Sequence, residues 1–204
     1  MVIEGPKAGG HLGFSKEQLE EYSEEEQGIG SVSSYDEEIR KICQVVTSYE
    51  EEYQCKIPVV VAGGIDSAEE VKRVMQLGVQ GVQVATRFVT TYECDADVRY
   101  KQTYLDAMKD DICIIKSPVG MPGRAIRNPF MERVMNGEKF TPAKCLGCLH
   151  KCSPTEIPYC ITEALVHAAK GETDQALLFC GANAYKATHL ESVKEVIDSL
   201  MPPV

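Results

Sequence analysis

The stretch that decides the fold is IPVVVAGGIDSAEEVKRVMQLGVQGVQV, residues 57–84. Its apolar start, Ile57–Ala62, is typical of a parallel strand that is buried on both faces. Gly63–Gly64 turns the chain, and Ser67 then supplies the N-cap of an amphipathic helix. A second apolar strand follows over 79–84. Strand, turn, helix and strand in this order form a βαβ unit, in which we expect parallel, right-handed pairing.

Shorter periodic segments surround this unit. The sequence predicts further strands over 1–4 and 112–115 and helices over 16–26, 36–52, 96–109, 161–170 and 190–200. The stretch SPVGMPGRAIRNPF, residues 117–130, is punctuated by Pro and Gly and is interpreted as a loop. These patterns together predict an α/β protein.

Composition and charge exclude several classes of function. The 204 residues carry 21 Lys and Arg against 31 Asp and Glu, so the net charge is -10. Such a chain has no electrostatic reason to bind nucleic acid or an anionic membrane surface. The longest apolar run, 57–62, is far too short to cross a bilayer. No signal peptide precedes the first strand, which predicts a cytoplasmic location and reduced thiols.

Two glycine-rich loops, each directly after a predicted strand, are candidates for a ligand site. In AGGHLG, residues 8–13, glycines flank His11 and let the backbone approach a planar ligand. Histidine titrates near neutrality, so His11 suits the abstraction of a proton or the binding of an anion. Gly63 and Gly64 precede a helix whose N-terminal amides can hold a phosphate. Plain packing turns are the alternative interpretation of the Gly-Gly pair.

The nine cysteines form two groups. One group has the spacing C-x2-C-x3-C-x7-C and consists of Cys145, Cys148, Cys152 and Cys160. This spacing can hold zinc or an iron–sulfur cluster. Structural zinc sites usually pair two C-x2-C clips, and only one is present, so we predict no metal and keep these four as candidates. The others are predicted to be buried, small apolar side chains: Cys43, Cys55, Cys94, Cys113 and Cys180.

Three motifs in order resemble a known family. EGPKAGGHLG (4–13), VVVAGGI (59–65) and GVQVATRF (81–88) look like the FMN-dependent nitronate monooxygenases, formerly called 2-nitropropane dioxygenases. The C-terminal stretches are similar to nitronate monooxygenase-like proteins as well: NPFMERV (128–134), PYCITEAL (158–165) and FCGANAYK (179–186). The flavin-dependent enoyl-acyl-carrier-protein reductases are close relatives that share the barrel and the AGGH loop.

The resemblance implies a fold and a division of the chain. The family is a (β/α)8 TIM barrel, and the three strands of this chain correspond to barrel strands six to eight. We therefore expect a partial TIM barrel. Residues 1–117 are its FMN-binding C-terminal part, with an acidic helical insertion over 15–55. Residues 118–204 are an added helical, cysteine-rich segment that completes the flavin site.

The resemblance also implies roles for single residues. His11 matches the active-site histidine of the family, and Asn183 is expected to line the substrate pocket. The expected flavin contacts are Gly9 and Gly10 in the first loop, Gly63 and Gly64 in the phosphate turn, and Gln83, Val84, Ala85 and Thr86 in the second phosphate loop. Two residues depart from the family pattern. Ala85 replaces a glycine, and Glu4 stands where some members carry Gln.

The activity that the resemblance implies is FMN-dependent oxidation of alkyl nitronates by O2, which yields a carbonyl compound and nitrite. Two alternatives remain open. One is an enoyl-acyl-carrier-protein reductase that uses NAD(P)H, and the other is an inactive fragment of either enzyme. An incomplete barrel leaves strand edges and apolar faces uncovered, so self-association through the open edge is expected.

Overall fold

A computed structural model describes residues 1–25, 34–150 and 152–201. Its strands are β1 (Val2–Glu4), β2 (Gly10–His11), β3 (Val60–Ala62), β4 (Gly81–Gln83), β5 (Ile112–Lys116) and β6 (Pro122–Ile126). Its α-helices are α1 (Lys16–Glu25), α2 (Ser34–Tyr53), α3 (Ala68–Met75), α4 (Thr86–Val89), α5 (Val98–Asp106), α6 (Pro129–Met135), α7 (Ile161–Ala169) and α8 (Val193–Leu200). Short 3-10 helices lie at 109–111, 173–175 and 184–186.

The predicted βαβ unit is confirmed. Strands β1, β3 and β4 form one parallel sheet in that order, with Val61 of β3 opposite Val82 of β4. Helix α3 joins β3 to β4, and the Ser67 hydroxyl accepts a hydrogen bond from the Glu70 amide at 3.3 Å. Each of these three strands is shorter than predicted, since the ladder pairs three residues of each strand.

A second, antiparallel sheet contains residues that the sequence analysis assigned to a loop. Its order is β2-β6-β5, and His11 of β2 lies opposite Gly123 of β6. Pro122 opens β6, where a missing N–H is tolerated. A Cβ on Gly123 would lie 2.9 Å from the Phe179 ring, so glycine is needed for this close approach. Pro and Gly therefore concealed a strand, so residues 118–204, predicted to be a helical segment, contain β6 as well as helices.

This second sheet also bears on the predicted division of the chain. The boundary between 117 and 118 falls in the turn of the β5–β6 hairpin, so one sheet contains residues from both predicted regions. The acidic stretch 15–55 contains α1 and α2, and residues 26–33 of it lie outside the described ranges.

The parallel sheet and its helix α3 pack against elements that are distant in sequence. The cluster around the parallel sheet contains Ile3, Val61 and Val74 and is covered by Val196 of α8, which is fully buried. On another side, Arg73 of α3 binds both carboxylate oxygens of the buried Asp36 of α2 at 2.6 Å. Two further apolar clusters connect the second sheet with α5, α6 and α7. Among the described helices, none is long and apolar enough to span a membrane.

The cysteines predicted to be buried differ in exposure. Cys180 is 2% exposed, as predicted, and burial raises the pKa of its thiol to about 12. Cys43, Cys94 and Cys113 are half-buried. The prediction for Cys55 is wrong, because this residue is exposed in the connection that follows the end of α2.

We predict that replacement of Ser67 by Ala lowers the free energy of unfolding by about 1 kcal/mol, because the N-cap acceptor is lost. Urea unfolding measures this change. Ser48→Ala is the matched control: Ser48 is exposed within α2, where alanine is the better helix former. An equal loss in both variants would contradict the capping role.

We predict that iodoacetamide at mildly alkaline pH alkylates Cys55 in the folded protein and Cys180 only after unfolding in urea. The thiolate is the reactive form, and a raised pKa together with burial keeps Cys180 protonated and inaccessible. Peptide mass spectrometry reads out both sites. Labelling of Cys180 in the folded protein at the rate of Cys55 would contradict the buried position.

Candidate functional site

A cleft of about 360 Å³ lies at the carboxyl ends of the three parallel strands, which we call the strand-end cleft. The loops after β1, β3 and β4 form one side, and residues 179–187 form the other. Ligands of α/β proteins bind at this edge of the sheet. Nine of the ten predicted site residues line it: Gly9, Gly10, Gly63, Gly64, Gln83, Val84, Ala85, Thr86 and Asn183.

The turns after β3 and β4 contain backbone amides without hydrogen-bond partners. Throughout the described ranges, the N–H groups of Gly64, Ile65, Ala85 and Thr86 make no hydrogen bond. All four residues line the strand-end cleft. Unpaired amides in residues that line one cavity favour an anionic ligand group. Gly64 and Ile65 precede α3, and Thr86 is the first residue of α4.

The glycines of both loops are also required for packing. Gly63 and Gly64 have φ values of +98° and +77°, a region that favours glycine. A Cβ on Gly63 would lie 2.7 Å from the Ala8 amide nitrogen, and one on Gly9 would lie 2.6 Å from the Cys180 carbonyl carbon. The packing interpretation of these glycines therefore holds, and the ligand interpretation stays a prediction. The close approach that Gly9 permits is to the backbone of the 179–187 segment.

Hydrogen bonds tie the 179–187 segment to the strand ends. The Asn183 side-chain amide donates to the Gly64 carbonyl at 3.0 Å, and the Gly181 amide donates to the Thr86 hydroxyl at 2.9 Å. The Ala182 amide donates to the Lys7 carbonyl at 3.1 Å. The side chain of Asn183 therefore holds the turn after β3 as well as lining the cleft.

His11 does not line the strand-end cleft. It lies on β2, half-buried, with its ring edge-on to Phe179 at a centroid distance of 4.9 Å. Phe179 and Gly10 do line the cleft, so one side chain separates the imidazole from the cavity. The His11 Nε2 lies 2.8 Å from the Ser117 hydroxyl, which is buried and also accepts from the Val119 amide at 3.4 Å.

Ionic groups at the cleft are bound to protein partners. The Glu4 carboxylate accepts from the Gly13 amide at 3.2 Å. Asp66 pairs with Lys186 at 2.7 Å. Arg87 donates to the Asp66 carbonyl at 2.6 Å and to the Glu191 carboxylate at 2.9 Å. These contacts fix the rim of the cleft, and the amides of the turns remain for a ligand.

The sequence analysis missed two residues that shape this region. Arg124 of β6 donates to the Ala8 carbonyl and so holds the AGGH loop. Ser117 holds the ring of His11. Both were assigned to the loop 117–130, and neither carries a local signal, since their roles depend on the pairing of β6 with β2. The roles of Arg124 and Ser117 could have been predicted only if β6 had been recognised as a strand.

The four candidate metal cysteines come together in a second cavity. Cys145, Cys148, Cys152 and Cys160 line a cleft of about 300 Å³ beside α7, which we call the cysteine cleft. Among the described residues, no group of three or more His, Cys, Asp or Glu side chains is arranged to hold a single metal ion. His150, the histidine between these cysteines, is exposed and is not among the residues that line the cleft.

Comparisons with solved structures agree with this architecture. FabK from Thermotoga maritima superposes with a TM-score of 0.65 at 22% identity, covering 98% of this chain and 52% of that one. A nitroalkane oxidase from Streptomyces ansochromogenes gives a TM-score of 0.60 at 22% identity, covering 98% of this chain and 49% of that one. At this level of identity the two structures show a shared α/β fold.

Sequence comparisons identify the family. A probable nitronate monooxygenase of Bacillus subtilis is 27% identical over 202 residues, which cover 98% of this chain and 50% of that protein. The chain thus spans about half the length of this relative. The family profile described as nitronate monooxygenase matches residues 1–203. The chain therefore belongs to the nitronate monooxygenase family.

Proposed function

We propose that this chain is the FMN-binding C-terminal part of an oxidoreductase that converts alkyl nitronates and O2 into a carbonyl compound and nitrite. The observation that carries the proposal is the set of unpaired amides of Gly64, Ile65, Ala85 and Thr86, which line one cavity at the strand ends. Membership of the nitronate monooxygenase family supports the reaction type.

The residues present fit a flavin mononucleotide. The amides of the two turns are donors for the phosphate, and the cavity of about 360 Å³ lies within the range of small-molecule sites. The flavin ring is assigned to the side of the cleft formed by Gly9, Gly10 and Phe179, where the backbone is uncovered and the surface apolar. Ala85 keeps its amide, although its methyl group narrows the phosphate turn compared with glycine.

FMN supplies the redox chemistry between the nitronate and O2, and the protein positions the reactants. His11 is assigned to hold the anionic nitronate or to remove a proton from a neutral nitroalkane. In the second role its Nε2–H donates to the Ser117 oxygen, which has lone pairs for both this group and the Val119 amide. The lone pair on Nδ1 is then the basic site.

The same proposal assigns the parallel sheet to a partial (β/α)8 barrel. Strand β3 is central, and β1 and β4 are its edges. Met1 and Val2 at the β1 edge are about half exposed, which supports continuation of the sheet by another chain segment or a second copy. Self-association through this edge and a cytoplasmic location stay predictions.

We predict that the purified chain, incubated with FMN and desalted, retains a flavin absorbance band, whereas riboflavin is lost. The two ligands differ only in the phosphate, so the comparison tests the amides of the two turns. A colourless protein after desalting would contradict the proposal for this chain. Equal retention of riboflavin would contradict the phosphate assignment.

A matched pair of variants extends this test. Gly64→Ala forces a Cβ to within 2.7 Å of the Lys7 side chain at a left-handed φ, and we expect FMN retention to be lost. Gly137→Ala introduces the same type of backbone strain at φ +91°, in open space outside the cleft, and leaves FMN retention intact. If both variants lose FMN, the loss in Gly64→Ala results from general destabilisation and not from a change in the phosphate turn.

We predict that His11→Asn lowers turnover of nitronates by about 100-fold in FMN-loaded protein while flavin content stays within about two-fold, as expected for loss of an acid–base group. Nitrite release and O2 consumption measure turnover. His189→Asn, at an exposed histidine, is the control and keeps full activity. Full activity of His11→Asn would show that the assignment is wrong, and oxidation of NADH with a crotonyl thioester would indicate the reductase instead.

A further inference from the structure

The loop between α6 and α7 lacks the packing that usually fixes a loop of this length. In the described residues from 136 to 160 there is no helix or strand, and no residue between Thr141 and Pro158 is buried. Leu146 remains 67% exposed and Leu149 37% exposed. Structureless loops this long are uncommon in compact domains. A bound group that organises the loop explains both its composition and its exposure.

The base of this loop is nevertheless anchored. The Phe140 amide donates to the Pro158 carbonyl at 2.8 Å, and the Phe140 ring packs on Phe130 at a centroid distance of 4.8 Å. The Ala143 amide donates to Glu163 of α7 at 3.2 Å. The loop is thus held beside α7 at its ends, while its cysteine-bearing part faces the cleft.

Four thiols surround that cleft from two elements. Cys145, Cys148 and Cys152 come from the loop, and Cys160 is the N-cap residue of α7. The Cys160 side chain makes no capping hydrogen bond, so its sulfur is available at the positive end of a nine-residue helix. Cys148 Sγ lies 3.2 Å from the Thr162 hydroxyl, which brings the loop against the first turn of α7.

The size of the cleft favours a ligand of several atoms over a single metal ion. All four cysteines line the same cleft, Cys160 from the start of α7 and the other three from the loop. Yet in the described chain no three metal-binding side chains are close enough to hold one ion. The thiols surround about 300 Å³ of space. This arrangement suits a cluster of several atoms rather than a tetrahedral zinc ion, which needs all four sulfurs about 2.3 Å from one centre.

The positive charge at the cleft suits a cluster of negative charge. Lys144 and Lys170 line the same cleft, and leucines of the loop provide an apolar side. The one carboxylate that lines it, on Glu163, is bound to the Ala143 amide. Iron–sulfur clusters are held by four cysteine thiolates in this kind of setting.

We infer that Cys145, Cys148, Cys152 and Cys160 are the ligands of an iron–sulfur cluster. Binding exchanges the four thiol protons for four iron–sulfur bonds and requires no change of oxidation state in the protein. The cluster site is separate from the strand-end cleft, and the inference does not rest on the proposed flavin chemistry.

The test uses the full chain, purified without oxygen and incubated with iron, sulfide and a thiol reductant before desalting. We expect iron and acid-labile sulfide in equal amounts per chain, together with a broad visible absorbance band in protein that carries no flavin. Cys148→Ala and Cys160→Ala are expected to lose both iron and sulfide. Cys55→Ala, at an exposed cysteine outside the cleft, is the matched control and retains them.

Three outcomes would overturn the inference: no bound iron in the native sequence, one bound zinc without labile sulfide, or equal iron and sulfide in all three variants. Far-ultraviolet circular dichroism shows whether the variants fold, and we expect them to fold because the loop residues are not part of the buried clusters. FMN retention is measured on the same samples, so failure of the cluster and failure of the flavin site are read separately.

Discussion

The backbone of Gly9 packs directly against the backbone of Cys180 and Gly181, with no room for a Cβ between them. This contact fixes the distance between the first loop of the chain and the segment that returns after α7. The Ala182–Lys7 and Gly181–Thr86 hydrogen bonds extend it. The strand-end cleft exists because these two segments meet at the carboxyl ends of the parallel strands.

The sequence predicted the parts of the fold whose cause is local. The apolar run before Gly63, the cap at Ser67 and the parallel pairing follow from periodicity and turn chemistry, and the structure confirms them. Strand β6 was missed, because Pro122 and Gly123 conceal a strand that is specified by contacts with β2 and Phe179. Long-range pairing of this kind leaves no local pattern to read.

The residues of the candidate site also divide into those with a local sequence signal and those that depend on long-range contacts. The glycine turns were predictable because a Gly-Gly pair after a buried strand is a local signal, and their role in phosphate binding stays a prediction. The contact of Ser117 with His11 spans 106 residues, and the anchoring of the AGGH loop by Arg124 spans 116, so neither could be predicted from spacing. For the cysteine loop, the local signal was present in the sequence. The spacing of the four cysteines was recognised, but a single C-x2-C pair argued against a metal site. The structure adds that all four cysteines line one cleft of about 300 Å³.

The long separation in sequence between the two sides of the strand-end cleft has a consequence for folding. Residues 4–10 form one side, whereas residues 179–187, which form the other, lie far along the chain. The Asn183–Gly64 hydrogen bond spans 119 residues, and ordering so long a loop costs more conformational entropy than the pairing of β3 with β4. The cleft is therefore complete only when this long-range contact has formed, and a ligand that binds there stabilises the assembled fold over the unfolded chain.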